Sequence, residues 1–302
     1  GYGLKFLYLK DMDDITKMSL VEKHILSPEI ALNKEQDSAI LINDEENICI
    51  MINEEDHIRL QVFTSGLDLQ NTLILAVEID EKLNQILGFS ASEKYGFLTS
   101  CPTNVGTGLR ASVMIHLPAL TMTKKMNHLI HTLTRLGMTV RGIYGEGSEN
   151  TGNIYQISNQ MTLGKSDKEI LDELQEVVSQ IVLKERHARK QLMDNAAILL
   201  EDRLFRALGT LMYARILSSE EAANCLSNVR LGVDMDLIQS VTRNQLKECM
   251  LLVQPGFVQQ FAGATLQPAE RDIYRAKILQ QQLLAKNEIK SEHKKGDGNY
   301  DV

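Results

Sequence analysis

Two hydrophobic rhythms divide the chain. Over residues 1–163, short runs of β-branched, aliphatic and aromatic residues alternate with stretches whose apolar positions return every three or four residues. The runs at 4–9, 39–42, 48–52, 58–63, 111–117, 139–143 and 154–157 predict strands, and the stretches at 67–87 and 121–136 predict helices. Asn-Asp-Glu-Glu-Asn at 43–47 predicts a hairpin turn. Strands outnumber helices and many joins are short. The expected fold class is therefore α+β, a largely antiparallel sheet flanked by helices.

After residue 163 the rhythm becomes helical almost throughout. Ser166 stands three places before Glu169, the spacing of a capping box, and opens a helix expected to run from Asp167 to about Arg215. Further helices are expected from Ser218, over 242–253, and from Pro268, where proline suits a first turn. The end of the chain is rich in lysine and glutamate, a composition that favours disorder. The expected organisation is an α+β domain over 1–165, an all-helical domain over 166–284 and a disordered tail over 285–302.

Composition narrows the function classes. The 302 residues carry a net charge of −8, and the sequence pI is about 5.5, which disfavours a generic nucleic-acid binder. No apolar run reaches the length of a bilayer span, and no signal peptide opens the chain. Cys49, Cys101, Cys225 and Cys249 are far apart and form no C-x-x-C pair, so neither a zinc knuckle nor a disulfide framework is expected. A reducing cytoplasm suits such a chain.

The chemistry gathers in three segments. Asn53-Glu-Glu-Asp-His-Ile-Arg59 supplies acids for a cation and, in Arg59, a fork for a phosphate. Cys101-Pro-Thr-Asn-Val-Gly-Thr-Gly-Leu-Arg110 brings a thiol, two glycines that permit close backbone approach, and another guanidinium. It lacks the P-loop pattern. Val140-Arg-Gly-Ile-Tyr-Gly-Glu146 adds Arg141 and Glu146 beside glycines. His24 can stack on a base, and Arg271 and Arg275 share a helix face beside Asp272. Each has a plain structural alternative: a solvated acidic loop, a loop around a structural cysteine, a surface turn with an ion pair, a structural histidine, an exposed helix with an i,i+3 pair. Acids for a cation facing cations for phosphates suit phosphoryl transfer from a nucleotide to a positively charged acceptor.

Taken together these segments resemble the phosphagen (ATP:guanido) kinase family, which phosphorylates guanidinium groups with ATP, and within it the bacterial protein-arginine kinase branch. The resemblance runs from about Leu20 to Leu284 and includes Tyr155-Gln-Ile-Ser-Asn-Gln-Met-Thr-Leu-Gly164. It implies that Glu55 and Glu146 grip the acceptor guanidinium, with Glu55 the general base and Cys101 against the same group. Arg59, Arg110 and Arg141 would hold the phosphates of ATP, with Mg2+ bridging phosphate oxygens and no dedicated protein metal site. His24 would meet the adenine or ribose side. Arg271-Asp-Ile-Tyr-Arg275-Ala resembles the branch's phosphoarginine-sensing motif, so Arg271, Asp272 and Arg275 would bind phosphoarginine away from the active site. The implied partners are proteins phosphorylated on arginine, a Clp-type chaperone or protease in stress response and protein quality control, an activator protein, and a second copy in a homodimer. A small-guanidino kinase and a non-catalytic phosphoarginine adaptor are the competing readings.

The chain departs from the family at two places. Small-substrate members carry a histidine four places after the Arg110 position, where this chain has Met114. The family's early S-S-R-x-R-type segment has no match before Glu22, and the expectation is an N-terminally truncated fragment with impaired activity.

Overall fold

The computed structural model describes residues 2–33, 37–142 and 151–292. The chain divides into two compact units, Gly1–Ser148 with Ile154–His187, and Glu149–Asn153 with Ala188–Val302.

The first unit begins with β1 (Lys5–Tyr8), then α1 (Asp14–Glu22) and α2 (Pro28–Leu32). Asp13 caps α1 by accepting from the Thr16 amide at 2.8 Å, and Ser27 caps α2 ahead of Pro28. The strands β2 (Ala39–Ile42), β3 (Ile48–Ile52) and β4 (Ile58–Val62) complete an antiparallel sheet in the order β1-β2-β3-β4. The β2–β3 turn closes because the Asn43 side-chain oxygen accepts from the Asn47 and Ile48 amides. The central strands β2 and β3 are covered on both faces, which is why residues 48–52 read as one continuous apolar run. Cys49 and Met51 join Leu9, Ile25, Ile30 and Ile40 on one side. Ile48 and Ile50 meet Ile79, Leu75 and Leu83 of α3 (Leu69–Leu87) on the other.

A short hairpin follows, β5 (Ala91–Ser92) with β6 (Gly96–Phe97), and then β7 (Ser112–His116). The helical stretch expected over 121–136 is two helices, α4 (Pro118–Met122) and α5 (Met126–Arg135). Lys124 takes a left-handed conformation between them, and Pro118 starts α4 earlier than periodicity suggested. With β8 (Met138–Gly142) and β9 (Ile154–Asn159), β7 forms a second antiparallel sheet in the order β7-β9-β8. One face is closed by Ile157 and Tyr155, whose hydroxyl meets the Thr121 hydroxyl at 2.9 Å.

The long helix α6 (Asp167–Tyr213) starts at the expected capping box, with the Ser166 amide donating to Glu169 at 2.8 Å and the Glu169 amide donating to Ser166 at 3.3 Å. Its backbone leaves helical geometry once, at Ala196. The two units part inside this helix, between His187 and Ala188, rather than at its start. Glu185, in its first part, is buried and accepts from the Ala119 and Leu120 amides at 3.1 and 3.0 Å, so one carboxylate satisfies the open start of α4.

The second unit continues with α7 (Ser219–Asp234), α8 (Arg243–Leu252), α9 (Pro255–Ala262) and α10 (Pro268–Glu292). The α9 helix was not foreseen, since eight residues bounded by Pro255 and Gly263 carry too little periodicity to register. The α10 backbone continues past residue 284, and residues 293–302 lie outside the described residues. An α+β part followed by an all-helical part is the architecture expected from the sequence. No helix among the described residues is long and apolar enough to cross a membrane.

Candidate active site

The β3–β4 connection places three consecutive acids differently. Glu54 turns inward: its carboxylate accepts from Arg59 Nη1 at 3.1 Å and from the Glu55 amide at 2.8 Å. Burial alone would raise its pKa. Hydrogen bonds from the Ser27 hydroxyl, the Glu55 amide and Arg59 outweigh that and hold the carboxyl below the usual range. Asp56 turns the other way and accepts from the Ser100 amide at 2.7 Å. Glu55, between them, is exposed. The backbone makes this fan possible because Asn53 adopts φ +57 and its amide closes on the His57 carbonyl.

Arg59 lies opposite Met51 in the β3–β4 register, and Gln61 opposite Cys49, so all four share one face of the first sheet. Burial pushes the Cys49 thiol up to about 12, with Arg59 opposing. Gln61 donates to the carbonyls of His24 and Ile25, both at 3.2 Å, which sets the turn after α1 over this face. His24 holds φ +60 there, and burial lowers its imidazole pKa. His24, Glu54, Glu55 and Arg59 are thus parts of one assembly.

The Cys101 segment joins that assembly through Asp56. Its 3-10 turn, Pro102–Asn104, follows the thiol, and Cys101 Sγ lies 3.1 Å from the Thr103 hydroxyl. The loop is fixed from below. Thr162 donates to the Val105 and Thr103 carbonyls at 2.7 and 3.2 Å, and Phe97 and Gly106 exchange backbone hydrogen bonds. Gly106 is required here, because a Cβ would stand 2.9 Å from Leu163 Cα and its φ is +117.

Arg110 and Arg141 both lie at the second sheet. Met114 pairs with Gln156 and Gln156 with Arg141, while Ser158 lies opposite both Ser112 and Thr139. Facing residues share a side, so Met114, Gln156, Ser158 and Arg141 project from one face. Arg110, two positions before Ser112, reaches the Ser158 hydroxyl at 3.5 Å. This face is the more open one, with Met114 44% exposed. Glu146 lies outside the described residues.

Arg271, Asp272 and Arg275 belong to the helical unit, on α10. Arg275 is 1% exposed and donates to the Val253 and Leu217 carbonyls, both at 2.8 Å, and to Asp272 at 2.5 Å. Spacing had not separated the inward Glu54 and the bridging Asp56 from Glu55, and it gave no hint of Ser27, Ser100 or Thr162 as their supports. The only available sign was Ser27 before Pro28, the pattern of a helix start.

An antiparallel α+β unit with these segments defines a guanidino phosphotransferase, and the comparisons agree. Residues 2–188 match the profile of the ATP:guanido phosphotransferase, C-terminal catalytic domain, so the chain belongs to that family. Residues 197–294 match the protein-arginine kinase McsB C-terminal domain. The chain is 50% identical over 282 residues to the protein-arginine kinase of Geobacillus sp. (strain WCH70), covering 92% of this chain and 77% of that protein. It is 50% identical over 275 residues to that of Bacillus pumilus (strain SAFR-032), covering 91% and 75%. Among solved structures, lombricine kinase matches with a TM-score of 0.51 at 27% identity over 62% of this chain and 55% of its own. A duplicated taurocyamine kinase from Schistosoma mansoni shares the fold, with a TM-score of 0.56 at 22% identity over 82% of this chain and 34% of its own.

Proposed function

We propose that this chain is an ATP-dependent protein-arginine kinase. The observation that carries the reading is the Asp56–Ser100 hydrogen bond, which joins the acid loop to the thiol loop and leaves the Glu55 carboxylate exposed between two committed neighbours. A guanidinium is protonated near neutral pH and is a poor nucleophile until it is aligned and relieved of a proton. Glu55 takes that proton as the N–P bond forms, with Glu146 gripping the same guanidinium and Cys101 lying against it. Arg59, Arg110 and Arg141 hold the phosphates and stabilise the charge of the transferring group. His24, whose imidazole pKa burial lowers, contacts the nucleoside side.

Among the described residues no cluster of three or more His, Cys, Asp or Glu could hold a metal. Mg2+ would be held through the phosphate oxygens of ATP, where it would neutralise phosphate charge. In the helical unit, Arg271 meets phosphoarginine while Arg275 fixes Asp272 beside it. The family branch further points to arginine marking for a Clp-type protease in stress response, an activator protein, a homodimer and a cytoplasmic setting.

The test is incubation with ATP and either an unfolded protein or free arginine, read by phosphate-specific mass spectrometry. Phosphorylation of protein arginines is expected, and Glu55→Gln should reduce it roughly 10²–10⁴-fold while the circular dichroism spectrum is unchanged. Undiminished transfer by that variant removes Glu55 as the base. Transfer confined to free arginine favours the small-guanidino reading, and no transfer with retained phosphoarginine binding favours the adaptor.

A further inference from the structure

Residues 94–145 contain six lysines and arginines and no aspartate or glutamate, so against −8 for the whole chain the rest of the sequence carries −14. Arg110 and Arg141 belong to the site described above. Three of the other four gather at α5: Lys124 and Lys125 just before it, and Arg135 as its last residue. This helix buries Met126, Leu129 and Leu133 and packs on β8. His128, His131 and Arg135, spaced i, i+3 and i+7, form its opposite face, and all three are exposed, as is Lys124. The helix carries no acid, so none of them has an i,i+4 carboxylate to pair with. The side chains of Lys124, His128, His131 and Arg135 make no hydrogen bond or ion pair among the described residues. Helix stability does not account for the strip. Arg135 suits a helix C-terminus, but lysines ahead of the first turn oppose the macrodipole, which favours acids there.

We propose that the outer face of α5, through Lys124, His128, His131 and Arg135, is a docking strip for an acidic segment of a partner protein. Charge complementarity selects the occupant. The strip offers an ammonium, a guanidinium and two imidazoles, each able to donate to a carboxylate, and no acceptor charge of its own. His128 to Arg135 spans two helical turns, about 10 Å, which matches carboxylates at i, i+4 and i+7 on a facing helix. Leu136, 56% exposed directly after Arg135, supplies an apolar contact at one end. A nucleic acid fits less well. No aromatic side chain stands on α5 for a base to stack on, and a long polyanion would meet the field of a chain that is −8 overall. A short acidic segment needs only the local strip. The proposal does not rest on the kinase reading.

Fluorescence anisotropy with the full chain and saturating ATP tests this. The probes are a labelled alanine-based helical peptide with glutamates at i, i+4 and i+7, its glutamine counterpart, and a single-stranded DNA oligomer of equal charge. The glutamate peptide should bind roughly tenfold more tightly than the other two, and less tightly as salt rises. Lys124→Glu combined with Arg135→Glu should weaken it roughly tenfold, and Lys124→Gln with Arg135→Gln, which adds no repulsion, by a smaller factor. Both positions are exposed, so the circular dichroism spectrum should be unchanged in either variant. Four results overturn the proposal: no preference for glutamate over glutamine, equal binding by the folded variants, DNA bound as tightly as the peptide, or displacement of the peptide by ATP. Self-association that the variants lose, without peptide binding, would give the strip to a second copy and overturn it too. Because no phosphoryl transfer is measured, failure here is distinguishable from failure of the kinase reading.

Discussion

Glu54 and Asp56 are chemically near-identical neighbours of Glu55, yet each is committed to a different support: Glu54 to Arg59 and Ser27, Asp56 to the Ser100 amide. A carboxylate accepting from a backbone amide is a charge-assisted bond, but this one is exposed, so its net worth is about 1 kcal/mol. That is enough to bias the position of the loop that leads into Cys101. Asp56→Ala is therefore expected to speed amide exchange at Ser100 and alkylation of Cys101 several-fold and to lower kcat with little change in the KM for ATP. Asp56→Asn keeps an acceptor oxygen and should restore most of the protection. Alkylation and exchange that match the unaltered protein in Asp56→Ala would show that the thiol loop is held without this bond. The readouts do not require turnover, so they separate loop positioning from catalysis.

At the level of elements, one buried cation ties α10 to the segments beside α7 and α8. Arg275 satisfies carbonyls at the end of α8 and just ahead of α7, while the Asp272 carbonyl accepts from the Leu217 amide. Arg275→Ala would leave those carbonyls and Asp272 without their donor inside the helical unit. A cost of about 3 kcal/mol is expected, visible as a lower urea midpoint. Arg275→Lys should recover only part, since one ammonium cannot span the positions that a planar fork reaches. A variant as stable as the original would remove Arg275 as a clasp. This burial was invisible in the sequence, because Arg271 and Arg275 look alike by spacing and only tertiary packing sends one of them inward. Strands were legible for a related reason. The β-branched runs at 39–42 and 48–52 coincide with β2 and β3, where burial on both faces demands them. The capping box at Ser166 was legible because it is local. What escaped was non-local: the Lys124 break, the Glu185 carboxylate capping a helix some 65 residues away, and the division of labour among the three acids.

The whole chain is not two domains in sequence order. Residues 149–153 group with the helical unit although they stand between β8 and β9 of the sheet unit. The reason is local to that unit. Asn153 Nδ2 donates to the hydroxyl of Ser227 at 2.7 Å, and Ser227 is fully buried on α7. Gly152 adopts φ +72, and a Cβ there would stand 3.3 Å from the Ala223 carbonyl oxygen, so a side chain would be both strained and crowded. The connection that carries Glu146 thus continues directly into a segment pinned by α7. If Glu146 grips the acceptor, a substitution on α7 that touches no site residue should still affect transfer. Ser227→Ala removes the hydroxyl that receives Asn153 and is expected to destabilise by about 1 kcal/mol. It should also speed amide exchange over 151–153 and lower kcat for protein arginine several-fold. If Arg59, Arg110 and Arg141 hold ATP as proposed, its affinity should change little, because these residues lie on strands or at their margins. Loss of ATP affinity in parallel with kcat would instead indicate general unfolding. Faster exchange with unchanged turnover would mean that the anchored segment does not position the Glu146 carboxylate.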